Sequence, residues 1–251
     1  VDIAKIMFSG SIGTMTMAIK KLTGVLLLTA SMGVAAAGSA EEPTDVHDPL
    51  EGFNRAMFTF NDTLDTYALK PIAQGYQYVA PDFVETGVSN FFDNIGEVGN
   101  FLNNILQGKL ADAGVDFSRF MLNTTVGVVG LFDVASELGI EQHDEDFGQT
   151  LGAWGVPSGP YVVLPLFGPS SVRDTVGLVA DYAVDPVTHI DDQGTKNAFT
   201  AVRIIDNRAR LLATESLISG DKYTFIRDAY MQSREFAVND GEVTDFDDSN
   251  F

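Results

Sequence analysis

The sequence predicts an all-α single domain over residues 48–239. Three observations carry that prediction. Apolar residues recur at spacings of three and four through successive segments, start signals for helices stand at Asp48 and Asp221, and dense Gly and Pro are confined to 152–168.

Asp48 stands where a helix cap belongs, Pro49 suits a first turn, and Glu51 lies three residues on, where its carboxylate could reach back. Leu50, Phe53, Met57, Phe60, Leu64 and Tyr67 then share one stripe, expected to face the core. Phe58 falls off the stripe, beside Glu51, Asn54 and Asp62. It is either a lone exposed aromatic or a contact with something apolar outside the fold. Asn54 and Asn61, seven residues apart, lie on one helix edge. Pro71 biases Lys70 away from helical angles, so the helix is expected to end near Leu69.

After Pro81, Val84, Val88, Phe91, Phe92 and Ile95 resume the helical period, and Gly96 and Gly99 are expected to interrupt it. The polar positions of the next piece, 100–107, are all amides, which suits either a helix at an apolar boundary or an ordinary helix with a weakly polar face. Past Gly108, the segment Leu110–Thr125 reads as a helix with Leu110, Ala113, Phe117, Phe120, Met121 and Thr124 inward. Residues 126–135 are apolar and glycine-interrupted, too short to span a bilayer. They would break at Gly127 and Gly130 or close as a hairpin, and tight glycine packing in the core is the rival reading. Between Gly152 and Gly168 a long helix is forbidden, Tyr161–Leu164 can be a short extended piece, and Trp154, Tyr161 and Phe167 suit a membrane interface. A helix follows Ser171 with Val172, Val176, Val179 and Tyr182 in period. Another is expected over Lys196–Ile218, with Phe199, Val202, Ile205, Ala209 and Leu212 inward, and a last one over Asp221–Val238.

The ends read differently. Lys20 and Lys21 precede a 16-residue apolar run, Leu22–Ala37, then Gly-Ser-Ala and the acidic Glu41 and Glu42. That order describes a secretory signal peptide over 1–40, cleaved after Ala40 or Ala37, with Met15 or Met17 as the true start and an uncleaved membrane anchor as the alternative. Residues 41–47 form a tether, and the acidic residues 240–251 a disordered tail.

Charge and composition then exclude function classes. With 35 acidic against 15 basic residues the formal charge is −20, and no cluster of Lys and Arg offsets it, so nucleic acid is not the partner. There is no cysteine, which removes disulfides, thiolate metal sites and cysteine nucleophiles. No Gly-x-Ser-x-Gly elbow is present, and prolines flank Ser158 where a strand-to-helix turn needs amides. His143 and Asp146 share a polar loop without the spacing of a helical metal pair, and no phosphate-cradling loop exists. Neither an enzyme nor a metal or other cofactor is indicated.

Four blocks, taken together, are more specific. Asp48-Pro-Leu-Glu-Gly-Phe-Asn-Arg55 with Met57–Asn61, Arg119–Thr124, Phe147–Gly155 with Gly159–Pro165, and Arg173-Asp174 run in order through a chain that resembles the MlaA/VacJ phospholipid-transport family. The resemblance implies a helical, ring-shaped protein in the periplasmic leaflet of the Gram-negative outer membrane. It further implies an amphipathic channel, association with a trimeric porin, and delivery of misplaced phospholipid to a periplasmic lipid carrier. No enzyme, cofactor or metal follows from it. Family members are commonly acylated on a cysteine that this sequence lacks, so attachment falls to apolar surface and to partners.

The expected lipid-path residues are Asn61, Phe60, Gly127, Gly130 and Phe132. Phe58, Trp154, Tyr161 and Phe167 are the expected membrane contacts, Phe58 now favouring lipid or a neighbouring membrane protein. A structural adaptor that binds a porin without moving lipid is the rival function, and a lipid hydrolase a third, which the missing nucleophile motif disfavours.

Overall fold

A computed structural model describes residues 48–218 and 220–241. The expected signal peptide and tether, and the tail from residue 242, lie outside the described residues.

The chain opens with α1 (Glu51–Leu64), passes through one π-helical turn (Asp65–Leu69) and continues directly as α2 (Lys70–Val79). The start differs from the capping box expected of Asp48 and Glu51. Asp48 Oδ1 accepts the Leu50 amide at 2.9 Å, its carboxylate also takes the Asn54 side-chain amide and the Tyr223 hydroxyl, and Glu51 pairs with Arg55 at 2.6 Å. Long-range donors have claimed the cap. The expected end near Leu69 is also corrected. The π-turn resets the hydrogen-bond ladder, so Pro71 falls in the first turn of α2, where its missing amide costs little.

Helix α3 (Asp82–Gln107) runs for 26 residues without a break at Gly96 or Gly99. Each glycine costs about 1 kcal/mol of helix propensity, too little to interrupt a helix held along its length by a neighbour. Gly108, with φ +82°, ends it in the left-handed conformation that favours glycine. Helix α4 (Leu110–Thr125) packs back along α3, and turns lead to the short α5 (Val134–Glu137) and α6 (Phe147–Ala153). Asp146 caps α6 by accepting the Gln149 amide at 2.8 Å.

The expected extended piece is strand β1 (Tyr161–Leu164), paired antiparallel with β2 (Gly168–Ser171), Tyr161 opposite Ser171 and Leu164 opposite Gly168. Ser171 then caps α7 (Val172–Val184). After a 3-10 turn at Pro186–His189 comes α8 (Gln193–Leu211), capped by Asp192. It tightens into a 3-10 turn (Ala213–Leu217) instead of running to Ile218. Asp221 caps α9 (Lys222–Val238), as the sequence indicates.

The helical periods are as expected, but the faces are reversed. On α1 and the π-turn after it the stripe of Phe53, Phe60, Leu64 and Tyr67 is exposed, and Asn54 is the fully buried residue of α1. On α4, Leu110, Phe117 and Met121 are exposed while Asp116, Arg119 and Asn123 are buried beside Ala113. On α7, Val172, Val176, Val179 and Tyr182 are exposed, and Arg173, Asp174 and Gly177 are buried. On α8, Val202 faces out and Asp206 lies inside with Ala209. An apolar stripe marks the core only when water is the outer solvent. Here the polar stripe faces in.

A small apolar cluster does exist, where Tyr161, Val163 and Tyr223 meet beneath Met57, Phe58, Tyr230 and Met231. Phe58 stands edge-on to Tyr223 with ring centroids 5.7 Å apart. The outward contact expected of Phe58 is therefore corrected: it turns inward because the polar side of α1, not its apolar stripe, meets the rest of the chain. Tyr161 is corrected likewise, being only 5% exposed. Among the described residues no helix is long and apolar enough to cross a membrane.

Candidate functional site

A polar seam fills the interface between α3 and α4. Arg119 Nε donates to Glu97 Oε1 at 2.7 Å, with both side chains at most 2% exposed, and the guanidinium also reaches Asp133. Burial pushes the Glu97 carboxyl above its usual range, against the pull of Arg119. Asn123 donates to Asp133 at 2.9 Å and accepts the Ala135 amide at 2.9 Å. One turn along, Asn104 donates to the buried Asp116 at 2.7 Å, and His143 Nδ1 lies 2.7 Å from the same carboxylate. Asn100 donates to the His143 carbonyl and accepts the Glu145 amide, while Asn103 accepts the Thr150 hydroxyl at 2.8 Å. The amide-rich stretch 100–107 thus buries its Asn side chains with a partner for each, which offsets most of the cost of interior polar groups, although Asn104 Oδ1 has none of its own among the described residues. The seam is a frame that holds α3 to α4 and to the segment 133–150.

The predicted lipid-path residues are dispersed. Asn61 donates to the Leu164 carbonyl at 2.9 Å and accepts the Leu166 amide at 2.8 Å. Asn54 does the same one step along, donating to the Tyr161 carbonyl at 3.0 Å and accepting the Val163 amide at 2.8 Å. The two amides seven residues apart stitch α1 to the hairpin. Phe60 and Phe132 are exposed. Gly127 and Gly130 are buried in the turn after α4: a Cβ on Gly127 would lie 2.1 Å from the Phe132 carbonyl, and Gly130, at φ +87°, abuts the Asn94 side chain. That turn also holds Val128 and Val129 in the left-handed region, with φ of 54° and 61°, and exposes both. Trp154 is half exposed with its indole N–H on the Leu106 carbonyl at 3.0 Å, and Phe167 is 71% exposed at the hairpin tip.

Sequence reasoning missed a second polar cluster, where α6, α7 and α9 meet. Arg234 of α9 grips Asp146 with Nη1 and Nη2, at 2.5 and 2.9 Å, and also donates to both oxygens of Asp174. Arg173 and Tyr230 complete Asp174, at 2.9 and 2.8 Å. Burial opposes ionisation of Asp174, but the Tyr230 hydroxyl and the Arg234 guanidinium hold it below the usual carboxylate range. Two glycines permit this approach. A Cβ on Gly148 would lie 2.5 Å from Asp174 Oδ1, and one on Gly177 2.5 Å from the Gly148 amide nitrogen. The sequence signal was there, Asp174, Gly177 and Asp181 at spacings of three and four on one face of α7, but the partner Arg234 is 60 residues away.

Beside this cluster a cleft of about 200 Å³ opens, with Leu164, Phe167 and Leu178 among its walls. Its polar lining is Asp146, Ser170, Asp174, Asp181, Tyr230 and Arg234. Asp181 accepts the Phe147 amide at 2.9 Å and an Asn103 hydrogen bond, and no cation pairs with it among the described residues. Burial, and then the charge of Asp146, raise it to about 6. A second cavity, about 220 Å³ beside the π-turn, is lined by Asp65, Lys70, Glu215 and Lys222, which are engaged in ion pairs. No group of three His, Asp or Glu among the described residues is placed to hold a metal ion, and the loop carboxylate Asp146 is committed to Arg234.

Comparison with known proteins agrees with this architecture. The family model described as "MlaA lipoprotein" matches residues 46–237. The "Intermembrane phospholipid transport system lipoprotein MlaA" of Escherichia coli strain K12 is 37% identical over 224 residues, covering 87% of this chain and 89% of its own. The protein of the same name from Haemophilus influenzae is 34% identical over 235 residues, covering 91% and 94%. An uncharacterized Rickettsia typhi protein is 35% identical over 198 residues. A solved structure described as the "Structural basis for maintenance of bacterial outer membrane lipid asymmetry" superposes with a TM-score of 0.68 at 37% identity, covering 77% of this chain and all of its own. With a polar seam inside, apolar helix faces outside and this match along nearly its whole described length, the chain belongs to the MlaA lipoprotein family.

Proposed function

We propose that this protein is a non-enzymatic phospholipid conduit of the outer membrane, removing mislocalised phospholipid from the outer leaflet and passing it to a periplasmic lipid carrier. The observation that carries this reading is the reversed burial of α1, α4 and α7, whose apolar faces are exposed and whose polar residues are inside. In lipid, apolar side chains face outward without penalty and buried polar groups need internal partners, which most of the seam's side chains have. The names of the relatives, which place them in an intermembrane phospholipid transport system, supply the cargo.

On this reading the protein rests at the periplasmic side of the outer membrane beside a trimeric porin, held by its apolar exterior. Phe60, Phe132, Trp154 and Phe167 contact acyl chains, Asn61 holds the hairpin beside the path, and Gly127 with Gly130 shape the turn that bears Phe132. The cleft at Asp181 and Phe167 is where headgroup and tail chemistry meet. No nucleophile is poised on an activating base among these groups, so lipid moves without bond cleavage.

Deleting the gene is expected to raise outer-leaflet phospholipid and detergent sensitivity. Unchanged outer-leaflet lipid together with a lost porin complex would replace the conduit by a structural adaptor. Carbonate washing of outer membranes is expected to leave the protein in the pellet, and its release would sink the embedded picture.

A further inference from the structure

We propose that the cleft between the β1–β2 hairpin, α7 and α9 is a binding site for the ammonium end of a zwitterionic phospholipid headgroup, with Asp181 as its counter-charge. The inference rests on the conduit reading and adds a headgroup preference to it.

Charge decides the ligand's sign. Arg234 neutralises Asp146 bidentately, and Asp174 has Arg173, Arg234 and Tyr230. Both carboxylates are internally committed, and so is the guanidinium. Asp181, seven residues beyond Asp174 and on the same side of α7, accepts the Phe147 amide and has no cation paired with it among the described residues. The residual charge at the cleft is therefore negative and sits on one carboxylate. A phosphate alone is repelled, and an ammonium is attracted. Rings supply a second attraction that does not depend on acidity, since Phe167 and Tyr230 both line the cleft and aromatic faces draw quaternary and primary ammonium groups.

Size and surroundings decide the class. A cleft of about 200 Å³ falls below the roughly 300–1,000 Å³ of sites that enclose a drug-sized ligand, so it admits a headgroup and not a whole lipid. Leu164, Phe167 and Leu178 give its wall apolar surface, and Phe167 and Leu178 are themselves exposed. The rest of an amphiphile would find apolar surface at the mouth. A lone divalent metal is disfavoured by the donor set, because two of the three carboxylates are held by arginines and no three are placed to share an ion.

The test uses the full chain purified in a neutral detergent at pH 7.5. It is titrated with dihexanoyl phosphatidylethanolamine, dihexanoyl phosphatidylglycerol and free ethanolamine, with calorimetry as readout. The ethanolamine lipid is expected to bind about tenfold more tightly than the glycerol lipid, the scale of one partly desolvated charge contact. Asp181→Asn, which keeps an acceptor for the Phe147 amide, is expected to reduce that ratio below about twofold, and Asp181→Glu to restore most of it. Equal affinities in the unaltered protein, or a preference that survives Asp181→Asn, overturn the assignment while leaving the conduit intact. Free ethanolamine binding as tightly as its lipid would transfer the cleft to soluble amines and overturn it too. Failure of both lipids to bind at all would count against the conduit as well.

Discussion

The packed pair α3–α4 and the two C-terminal helices, α8 against α2 and α9 against α6, bury the same kind of residue and differ in their outer faces. Inside, α3–α4 hold Glu97 against Arg119, and α8 and α9 hold Asp206 and Arg227, both at most 5% exposed. Asp206 takes the Ser89 hydroxyl at 3.0 Å from both its oxygens. Outside, α3–α4 show Phe83, Ile105, Leu106, Leu110, Phe117 and Met121, and not one charged residue occurs from Phe120 to Phe132. The last two helices mix exposed Val202, Ile204, Leu211, Phe225 and Phe236 with Lys196, Arg203, Arg210, Asp228 and Glu235 at outer or half-buried positions. Buried polarity is thus common to both regions and says little about surroundings. The exterior tells them apart by degree: α4 runs into an uncharged apolar stretch, whereas α8 and α9 intersperse their exposed apolar residues with charges.

The widest separation is expected at the ion pairs. Arg119→Met leaves Glu97 buried without its partner and is expected to cost about 3–5 kcal/mol in denaturant unfolding. Lys222→Met on α9, which removes the partly exposed pair with Asp62, is expected to cost under about 1 kcal/mol. Equal losses would mean that the seam is wetter than its burial says.

Glycine substitutions come next. Gly177→Ala would press a methyl to 2.5 Å from the Gly148 backbone and is expected to destabilise by about 1–3 kcal/mol. Gly96→Ala, in open space on α3, is expected to stabilise by about 0.5–1 kcal/mol.

A third, smaller effect depends on pH. The folded protein raises Asp181 to about 6 from an unfolded value near 3.8, so it binds the proton more tightly than the unfolded chain does. Stability from this group is full below the unfolded value, declines as pH rises to about 6, and stays reduced above it. Asp181→Asn is therefore expected to gain about 1 kcal/mol at pH 7.5, after allowing for solvent screening, and nothing at pH 3.5. A pH-independent gain in thermal melting would refute that cause.

The smallest effect on folding is expected at Val176→Asn on the exposed face of α7, within about 0.5 kcal/mol of the parent. Its retention by carbonate-washed membranes is nevertheless expected to fall, whereas Asn207→Asp on α8 is expected to leave retention intact. Equal retention of the two would erase the difference between the regions.

The sequence made the helices legible because their period depends only on local spacing. Orientation was not legible, since Phe53, Phe60, Leu110 and Phe117 were assigned inward on the assumption of a watery exterior. The buried charges carried a signal of their own: Asp116, Arg119 and Asn123 repeat at spacings of three and four through an otherwise apolar helix. Reading that polar stripe as the interior would have corrected α4. Asn54 and Asn61 were placed on one edge, but their partners in the hairpin lie more than 100 residues away, beyond the reach of any local rule. The same holds for Arg234 with Asp146, and hence for the cleft. Phe58 was misjudged for the simplest reason, because its face was defined as the one opposite the apolar stripe.

Those two asparagines have a mechanical meaning. Each offers a donor and an acceptor to the same strip of backbone, so the hairpin is riveted to α1 at two points about two helical turns apart. Two rivets resist rotation as well as separation. The strip from Tyr161 to Leu166 cannot pivot on one of them without breaking the other, and it carries Leu164 of the cleft wall and leads directly to Phe167 at the tip. Any displacement of the first helix, whether imposed by lipid pressing on Phe60 or by a neighbour in the membrane, is delivered to that wall as a translation.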